Sequence, residues 1–248
     1  MAKDDRAEFA AETEAQAREM GGDEALMRQG VETLLAADRY RYSYLWTWMG
    51  VPIIQMPADI VATQEAIWRA RPDVIVECGV ARGGSVIFMA SMLALLGQDG
   101  FVIGVDVDIR AHNRETIESH PMTSRIRLVE GSSIEPATVE TVRAMIPEGA
   151  RVMVILDSNH ARDHVLAECR AYGSMVTPGS FLVIADTVLG HFDEAETPKQ
   201  RSQVLYRGDE PLAARDAYLA ETDAYEVDAT LNGKLIMASS PGGYLLRR

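Results

Sequence analysis

Asp157 and His160 stand three residues apart in VMVILDSNHARD, where an apolar run gives way to polar residues. An acid that terminates a buried strand is costly unless it meets water, a cation or a hydrogen-bond donor. His160 falls at the expected N-terminus of the next helix, where the positive end of the helix dipole disfavours the imidazolium and keeps the ring neutral. A neutral imidazole near pH 7 is what a general base requires. Taken alone, His160 reads more readily as a helix cap or surface histidine; beside Asp157 at a ligand-binding edge it reads as the base. Asp186, after the apolar run FLVIA, adds a second carboxylate in position to face Asp157. Two carboxylates with few nitrogen or sulfur ligands suit a hard cation such as Mg²⁺, although two separate helix caps would leave the same pattern.

A second group lies upstream, in DVIVECGVARGGS, residues 73–85. A buried strand, a glycine turn and a helix N-terminus make a cradle whose free N–H groups point at a ligand. Gly79 permits the sharp turn, and Gly83 and Gly84 remove side chains that would hold a ligand away, with Ser85 opening the helix. The spacing G-x-x-x-G-G departs from the G-x-G-x-x-G dinucleotide fingerprint. Glu77, two residues before the first glycine, suits a ligand with an amino group rather than a pyrophosphate. Asp106 ends the next strand, where an acid accepts both ribose hydroxyls of a nucleoside. Gly131-Ser132-Ser133 follows a third strand and reads equally as a helix cap or as the edge of an adenine site.

These residues need a scaffold that brings strand ends together, and the pattern supplies one. Strands are expected at 74–78, 101–106, 126–129, 152–156 and 181–185, alternating with helices at 85–96, 113–119, 136–145 and 161–172. A helix at 211–221 and two closing strands, 225–228 and 235–238, joined at Asn232-Gly233, complete the chain. Such alternation means an α/β fold with a doubly wound, mostly parallel seven-stranded sheet, with ligands beyond the carboxyl ends of the strands. Ahead of it, helices at 5–20 and 23–37 form an N-terminal extension, and a helix at 58–70 leads into the first strand. The expected organisation is an extension over 1–40 and one ligand-binding domain over 41–248. Between them, Tyr40, Tyr42, Tyr44, Trp46 and Trp48 crowd into nine residues. They read as a clasp over the core, an oligomer interface or a lid over a site. The polar segment 186–208 is too long for an ordinary connection and is expected to be functional.

Composition narrows the partners. The 248 residues carry a formal net charge of −13, which disfavours nucleic acid. Cys78 and Cys169 fall inside a strand and a helix and read as buried apolar residues. No run is long enough to span a membrane and MAKDDRAEFAAE lacks an apolar core, so the expectation is a cytoplasmic protein.

The runs GVPIIQMPADIVATQEAIW, VIVECGVARGGSVIFMASML, GVDVDIR, VILDSNHARDHVLAECRAY, VTPGSFLVIADT and SPGGYLLRR resemble the cephalosporin hydroxylase family, from about Tyr42 to Arg248. That family is similar to class I S-adenosylmethionine-dependent O-methyltransferases with Rossmann-like sheets, including those that methylate rhamnosyl and other sugar hydroxyls on natural products such as antibiotics. The resemblance implies that Glu77, Gly79, Gly83, Gly84 and Ser85 hold the methionine part of the donor. Asp106 would take its ribose. Asp157 and Asp186 would ligate Mg²⁺, and His160 would be the base that deprotonates a small-molecule hydroxyl acceptor. The chain departs from the pattern at Ala185, where metal-binding relatives place Glu. Water, substrate oxygens or an acid such as Asp193 or Glu194 would then complete the ligand set. Lys199, Arg201 and Arg207 would assist an anionic acceptor. The resemblance and the amphipathic N-terminal region favour a homo-oligomer.

Three competing readings are weaker. A nicotinamide-dependent oxidoreductase is opposed by the glycine spacing and Glu77. A non-haem iron hydroxylase wants two histidines and a carboxylate; His160 and His164 fall four apart on a helix face, but His160 is better placed as a base. A non-catalytic S-adenosylmethionine-binding subunit draws support from Ala185, against which stand Asp157 and His160.

Overall fold

The computed structural model describes residues 4–192 and 207–248. Helices α1 (Arg6–Gly21) and α2 (Glu24–Asp38) precede a short hairpin, β1 (Thr47–Trp48) and β2 (Val51–Pro52), and α3 (Pro57–Ala70). Next come β3 (Val74–Cys78), α4 (Gly84–Leu95), β4 (Phe101–Asp106), α5 (Ala111–Glu118), β5 (Ile126–Glu130) and α6 (Pro136–Met145). The chain continues with β6 (Val152–Leu156), α7 (Arg162–Tyr172), β7 (Phe181–Ile184), α8 (Pro211–Glu221), β8 (Tyr225–Val227), α9 (Ala229–Asn232) and β9 (Tyr244–Arg247).

Seven strands form one sheet in the order β5-β4-β3-β6-β7-β9-β8. The five from β5 to β7 run parallel, while β9 lies antiparallel to both β7 and β8. The order reverses between β3 and β6, so a crevice opens beyond their carboxyl ends. Every residue of β3 and β6 is buried, as expected for central strands covered on both faces. Period-two alternation sends Ile75 to the layer packed by α3 and α4, and Val74, Val76 and Cys78 to the layer packed by α6, α7 and α8. Glu77 shares the face of Ile75, beneath the start of α4. α4 itself is apolar on all sides and lies between sheet and hairpin, where Trp48 stacks edge-on to Phe88 at 4.8 Å and donates to Ser91 Oγ at 3.0 Å.

The close of the sheet differs from the sequence expectation. Strand β9 is the terminal Tyr244–Arg247, not Leu235–Ala238, and Asn232-Gly233 ends a short helix instead of turning a hairpin. Two local causes decide this. Asp228 caps α9 by accepting from the Leu231 N–H at 2.8 Å, and the Asn232 amide bonds Tyr244 on both sides, donating to its carbonyl and accepting from its N–H. Gly233 has φ −64° rather than the positive φ a primed turn requires, and its missing side chain admits α1, since a Cβ there would stand 2.0 Å from the Ala17 carbonyl oxygen. Leu235 and Ala238 are apolar because they are buried in irregular backbone.

The N-terminal helices are docked rather than free-standing. α2 carries Gly30 against the Ile236 carbonyl, which a Cβ would meet at 2.0 Å, and Val31 and Leu34 pack with Met56, Val188 and Phe192. Both cysteines are buried free thiols. No helix among the described residues is long and apolar enough to cross a membrane.

Candidate active site

A cleft of about 550 Å³ opens beyond the carboxyl ends of β3, β6 and β7. The glycine turn contributes Gly79 to Arg82, Gly84 and Ser85; the loop after β6 contributes Asp157, Ser158 and His160; Asp186 enters from the end of β7. Gly79, at φ +102°, is fixed by close approach: a Cβ would lie 1.9 Å from the carbonyl oxygen of Asp157. The glycine turn and the chemical loop are therefore in direct backbone contact, reinforced by the Asp157 N–H donating to the Cys78 carbonyl at 2.8 Å.

Asp157, His160 and Asp186 come together, with one ligand atom from each lying within 4.8 Å of the others. His160 Nε2 is 3.4 Å from Asp157 Oδ1 and 3.2 Å from Asp186 Oδ2. Asp186 takes the left-handed conformation, φ +54°, unusual for a residue with a side chain. It is held there by neighbours on both sides, the Ala185 N–H donating to Leu156 and the Val188 N–H to Ser239.

The charge on His160 is opposite to the sequence expectation. Burial works against the imidazolium, but the carboxylates of Asp186 and Asp157 outweigh it and raise the ring to about 9. The helix end cannot counter this, because α7 starts at Arg162 and the His160 ring turns to the two acids instead. Two acids and one imidazole in such a space are a donor set suited to a divalent cation, whose charge would balance theirs. Ala185 lends no carboxylate. Asp193, Glu194, Lys199 and Arg201 lie outside the described residues, and Arg207 does not line the cleft.

The donor-side residues occupy different depths. Glu77 is fully buried; Oε2 accepts from Ser85 Oγ at 2.8 Å, while Oε1 has no hydrogen-bond partner. Burial pushes its carboxyl well above the usual glutamate range, and the nearby charges of Asp157 and Asp106 add to the shift. Asp106 does not line the cleft. Its Oδ2 accepts from the N–H groups of Val80 and Ala81 at 2.9 and 3.1 Å, and Oδ1 from Asp108. Gly83, also left-handed at φ +90°, caps α4, and a Cβ on Gly84 would meet the Pro52 carbonyl at 2.3 Å. Ser132 turns the chain after β5, its carbonyl accepting from Glu135, and is not among the residues lining the cleft.

Several residues around the site carry no sequence signal. Buried Asp59 on α3 accepts from the Ser239 N–H and hydroxyl and the Ser240 N–H, anchoring the segment that holds Val188. Burial raises its carboxyl to about 6, with Asp186 contributing. Behind the Asp157 loop, Ser158 Oγ donates to fully buried Glu168 at 2.6 Å, and His164 Nε2 lies 3.1 Å from Ser133 Oγ. An i,i+4 spacing of His164 and Glu168 on α7 is the one trace of this network in the sequence. The aromatic block divides: Trp48 clasps the core, whereas Ser43 and Tyr44 line the cleft and Tyr40 is exposed.

A family model described as Rhamnosyl O-methyltransferase/CmcI matches residues 40–248. The Rhamnosyl O-methyltransferase of Mycobacterium leprae (strain TN) is 29% identical over 216 residues, 84% of this chain and 87% of that protein. Among solved structures, CmcI in an Mg-SAM form is 20% identical with a TM-score of 0.57, covering 83% of this chain and 77% of the other. An O-methyltransferase from Bacillus cereus in complex with SAH is 15% identical with a TM-score of 0.52, covering 80% and 81%. These structures share the mostly parallel seven-stranded sheet. The chain belongs to the Rhamnosyl O-methyltransferase/CmcI family.

Proposed function

We propose that this protein transfers the methyl group of S-adenosylmethionine to a hydroxyl of a small molecule, a sugar such as a rhamnosyl unit or another natural product, with a divalent cation such as Mg²⁺ at Asp157 and Asp186. The observation that carries the reading is the convergence of Asp157, His160 and Asp186 in one cleft beside the Gly79–Ser85 turn. The names of the relatives agree with it.

The donor supplies an electrophilic methyl on a sulfonium whose leaving group is a neutral thioether. The other half of the problem is the acceptor, because an alcohol is far too weakly acidic to react at pH 7. A divalent cation, when bound, supplies positive charge that acidifies an alcohol beside it and balances the two carboxylates. Once its ring is neutral, His160 Nε2 would take the hydroxyl proton as the C–O bond forms and the C–S bond breaks. The acids that face the ring stabilise the imidazolium left behind. Asp106 and Asp157 set negative charge about the glycine turn, which favours a cationic donor over a pyrophosphate-bearing one, and such a donor would draw the buried Glu77 carboxyl toward its ionised form. The rigid backbone contact between Gly79 and Asp157 fixes donor and base relative to one another, and such positioning is worth much of the barrier.

The test is calorimetry with S-adenosylhomocysteine and with NAD, followed by methyl-transfer assays with and without Mg²⁺. Binding of the first ligand alone is expected. His160→Ala should keep that affinity and lower turnover by about 10²-fold or more. Unchanged turnover would remove His160 as the base. A homo-oligomer and a cytoplasmic location belong to the same proposal, supported by the resemblance and the composition.

A further inference from the structure

Asp186 enters the cleft from a kink that its neighbours hold in place. Before it, the Ile184 N–H donates to the Gly243 carbonyl at 2.9 Å. After it, Thr187 Oγ1 donates to the Pro241 carbonyl at 2.8 Å and the Val188 N–H to the Ser239 carbonyl at 3.0 Å. Residues 239–243 therefore run as a strap along the end of β7, bonded on both sides of Asp186. A residue with a side chain stays at a φ of +54° only where its surroundings over-determine it. The strap supplies that constraint.

The strap has an anchor of its own, and the anchor is an acid. Asp59 lies in the first turn of α3, 3% exposed, where the positive end of the helix dipole favours a carboxylate. Its Oδ2 accepts from the Ser239 N–H at 2.7 Å and the Ser239 hydroxyl at 3.0 Å, and its Oδ1 from the Ser240 N–H at 3.1 Å. Three donors from two consecutive residues fix that backbone in position and direction. One turn along the same helix, Thr63 Oγ1 lies 2.9 Å from the hydroxyl of Tyr244 in β9, which donates to the Asp59 carbonyl at 3.2 Å. These contacts pin α3 to the sheet independently of the strap. Asp59 does not line the cleft, so its reach into the site runs through Ser239 and Val188.

We propose that Asp59 is a positioning residue for Asp186. By gripping Ser239 and Ser240 it holds the turn after β7 in the conformation that brings Asp186 to Asp157 and His160, and so sets the affinity of the site for a divalent cation. The inference rests on the cation reading above for its ligand, whereas the grip on the turn is a property of the fold.

The probe is Mn²⁺ alone, titrated by calorimetry into the full-length protein at pH 8, where Asp59 is ionised, and at a temperature at which every variant is folded by circular dichroism. Asp59→Asn keeps the shape of the side chain but turns an amide toward N–H groups that need an acceptor. It also removes a charge, which alone would weaken a cation. Thr187→Val cuts the strap at Pro241 and leaves every charge in place. Asp59→Asn is expected to weaken Mn²⁺ by about tenfold or more and Thr187→Val by about threefold or more. Both should speed hydrogen exchange at the Val188 amide in the same order. Tyr225→Phe loses a buried hydrogen bond to the Gly173 carbonyl in the opposite layer and should leave both readouts within about twofold of the wild type. Unchanged Mn²⁺ affinity in Asp59→Asn overturns the proposal. So does a loss confined to Asp59→Asn, which would make Asp59 a distant charge, or an equal loss in Tyr225→Phe, which would make the effect one of general stability. A wild type that binds no Mn²⁺ would instead strike the cation reading. The Val188 exchange rate, raised in both strap variants or in neither, would then still decide whether Asp59 holds the turn.

Discussion

Ser158 Oγ donates to Glu168 Oε1 at 2.6 Å, joining the loop that carries Asp157 and His160 to a fully buried acid on α7. The same carboxylate oxygen lies 3.4 Å from His164 Nε2, which in turn approaches Ser133 beyond β5. One buried acid thus holds two neighbouring strand-end loops from behind. Glu168→Ala would take the carboxylate from both Ser158 and His164, leaving Ser158 Oγ with His164 Nε2 at 3.3 Å and His164 with Ser133. The expected loss is about 2 kcal/mol of unfolding free energy. Ser158→Ala should cost less, about 1 kcal/mol, because one weaker group is removed. Denaturant titration of both variants checks the order, and an equal, negligible effect would mean that the loops hold themselves.

The ion cluster sets a pH dependence whose sign is fixed. His160 is raised to about 9 from the ordinary histidine range, so its ion pairs stabilise the cation-free fold fully below about 6.5 and lose that contribution as pH rises through 9. A cation at Asp157 and Asp186 must compete with the same proton. Mg²⁺ affinity is therefore expected to climb between pH 6.5 and 9, approaching about tenfold per unit at the lower end. Histidine resonances followed by NMR should show His160 titrating near 9 after chelation and well below that with Mg²⁺ present. Asp186→Asn should lower the chelated value by removing a facing charge. A Mg²⁺ affinity flat across this range would disconnect the cation from the cluster.

The parts of the molecule legible in sequence are those where one local signal decides. β3 reads correctly because Val74, Ile75 and Val76 are β-branched and apolar and Gly79 follows the strand, a pattern that central parallel strands favour. The convergence of Asp157, His160 and Asp186 follows from topology, since they follow β6 and β7, which pair in parallel as consecutive strands of an alternating chain do. Other features depend on partners distant in sequence. The charge of His160 is set by Asp186, 26 positions away and held in a left-handed conformation that no local pattern announces. Asn232-Gly233 looks like a hairpin turn until α1 needs the space that Gly233 leaves. The part of the cleft contributed by α2 is invisible for the same reason: Leu34 and Leu35 look like ordinary core residues until the fold sets them, with Asp38, on its edge.

Gly79 offers a test of the backbone junction between donor turn and base. It combines φ +102° with a carbonyl oxygen 1.9 Å from where a Cβ would stand. Gly79→Ala therefore forces either the turn or the Asp157 loop to move. Destabilisation of about 3 kcal/mol or more is expected, with loss of S-adenosylhomocysteine binding. Gly50→Ala, at a left-handed position with nothing within 4 Å, isolates the conformational part alone and should cost about 1 kcal/mol. Equal melting temperatures for the two variants would show that the contact with Asp157 imposes no constraint.

Glu77 separates stability from ligand binding. Its carboxyl is raised well above the usual range by burial, and one of its oxygens has no partner. An acid whose folded pKa exceeds its unfolded value weakens the fold increasingly as pH rises above the unfolded value. Glu77→Gln removes that penalty while retaining an acceptor for the Ser85 hydroxyl. The variant should therefore melt higher than the wild type, by a margin that widens from pH 5 to pH 8. A cationic donor near the glycine turn would supply the balancing charge that the glutamine no longer needs. The same substitution is then expected to weaken S-adenosylmethionine binding by about tenfold or more, the loss of one charge-assisted interaction. Calorimetry and thermal melts on one pair of proteins check both halves. A variant that melts higher yet binds the donor as well as the wild type would leave Glu77 a structural acid beneath the turn, with no part in holding the donor.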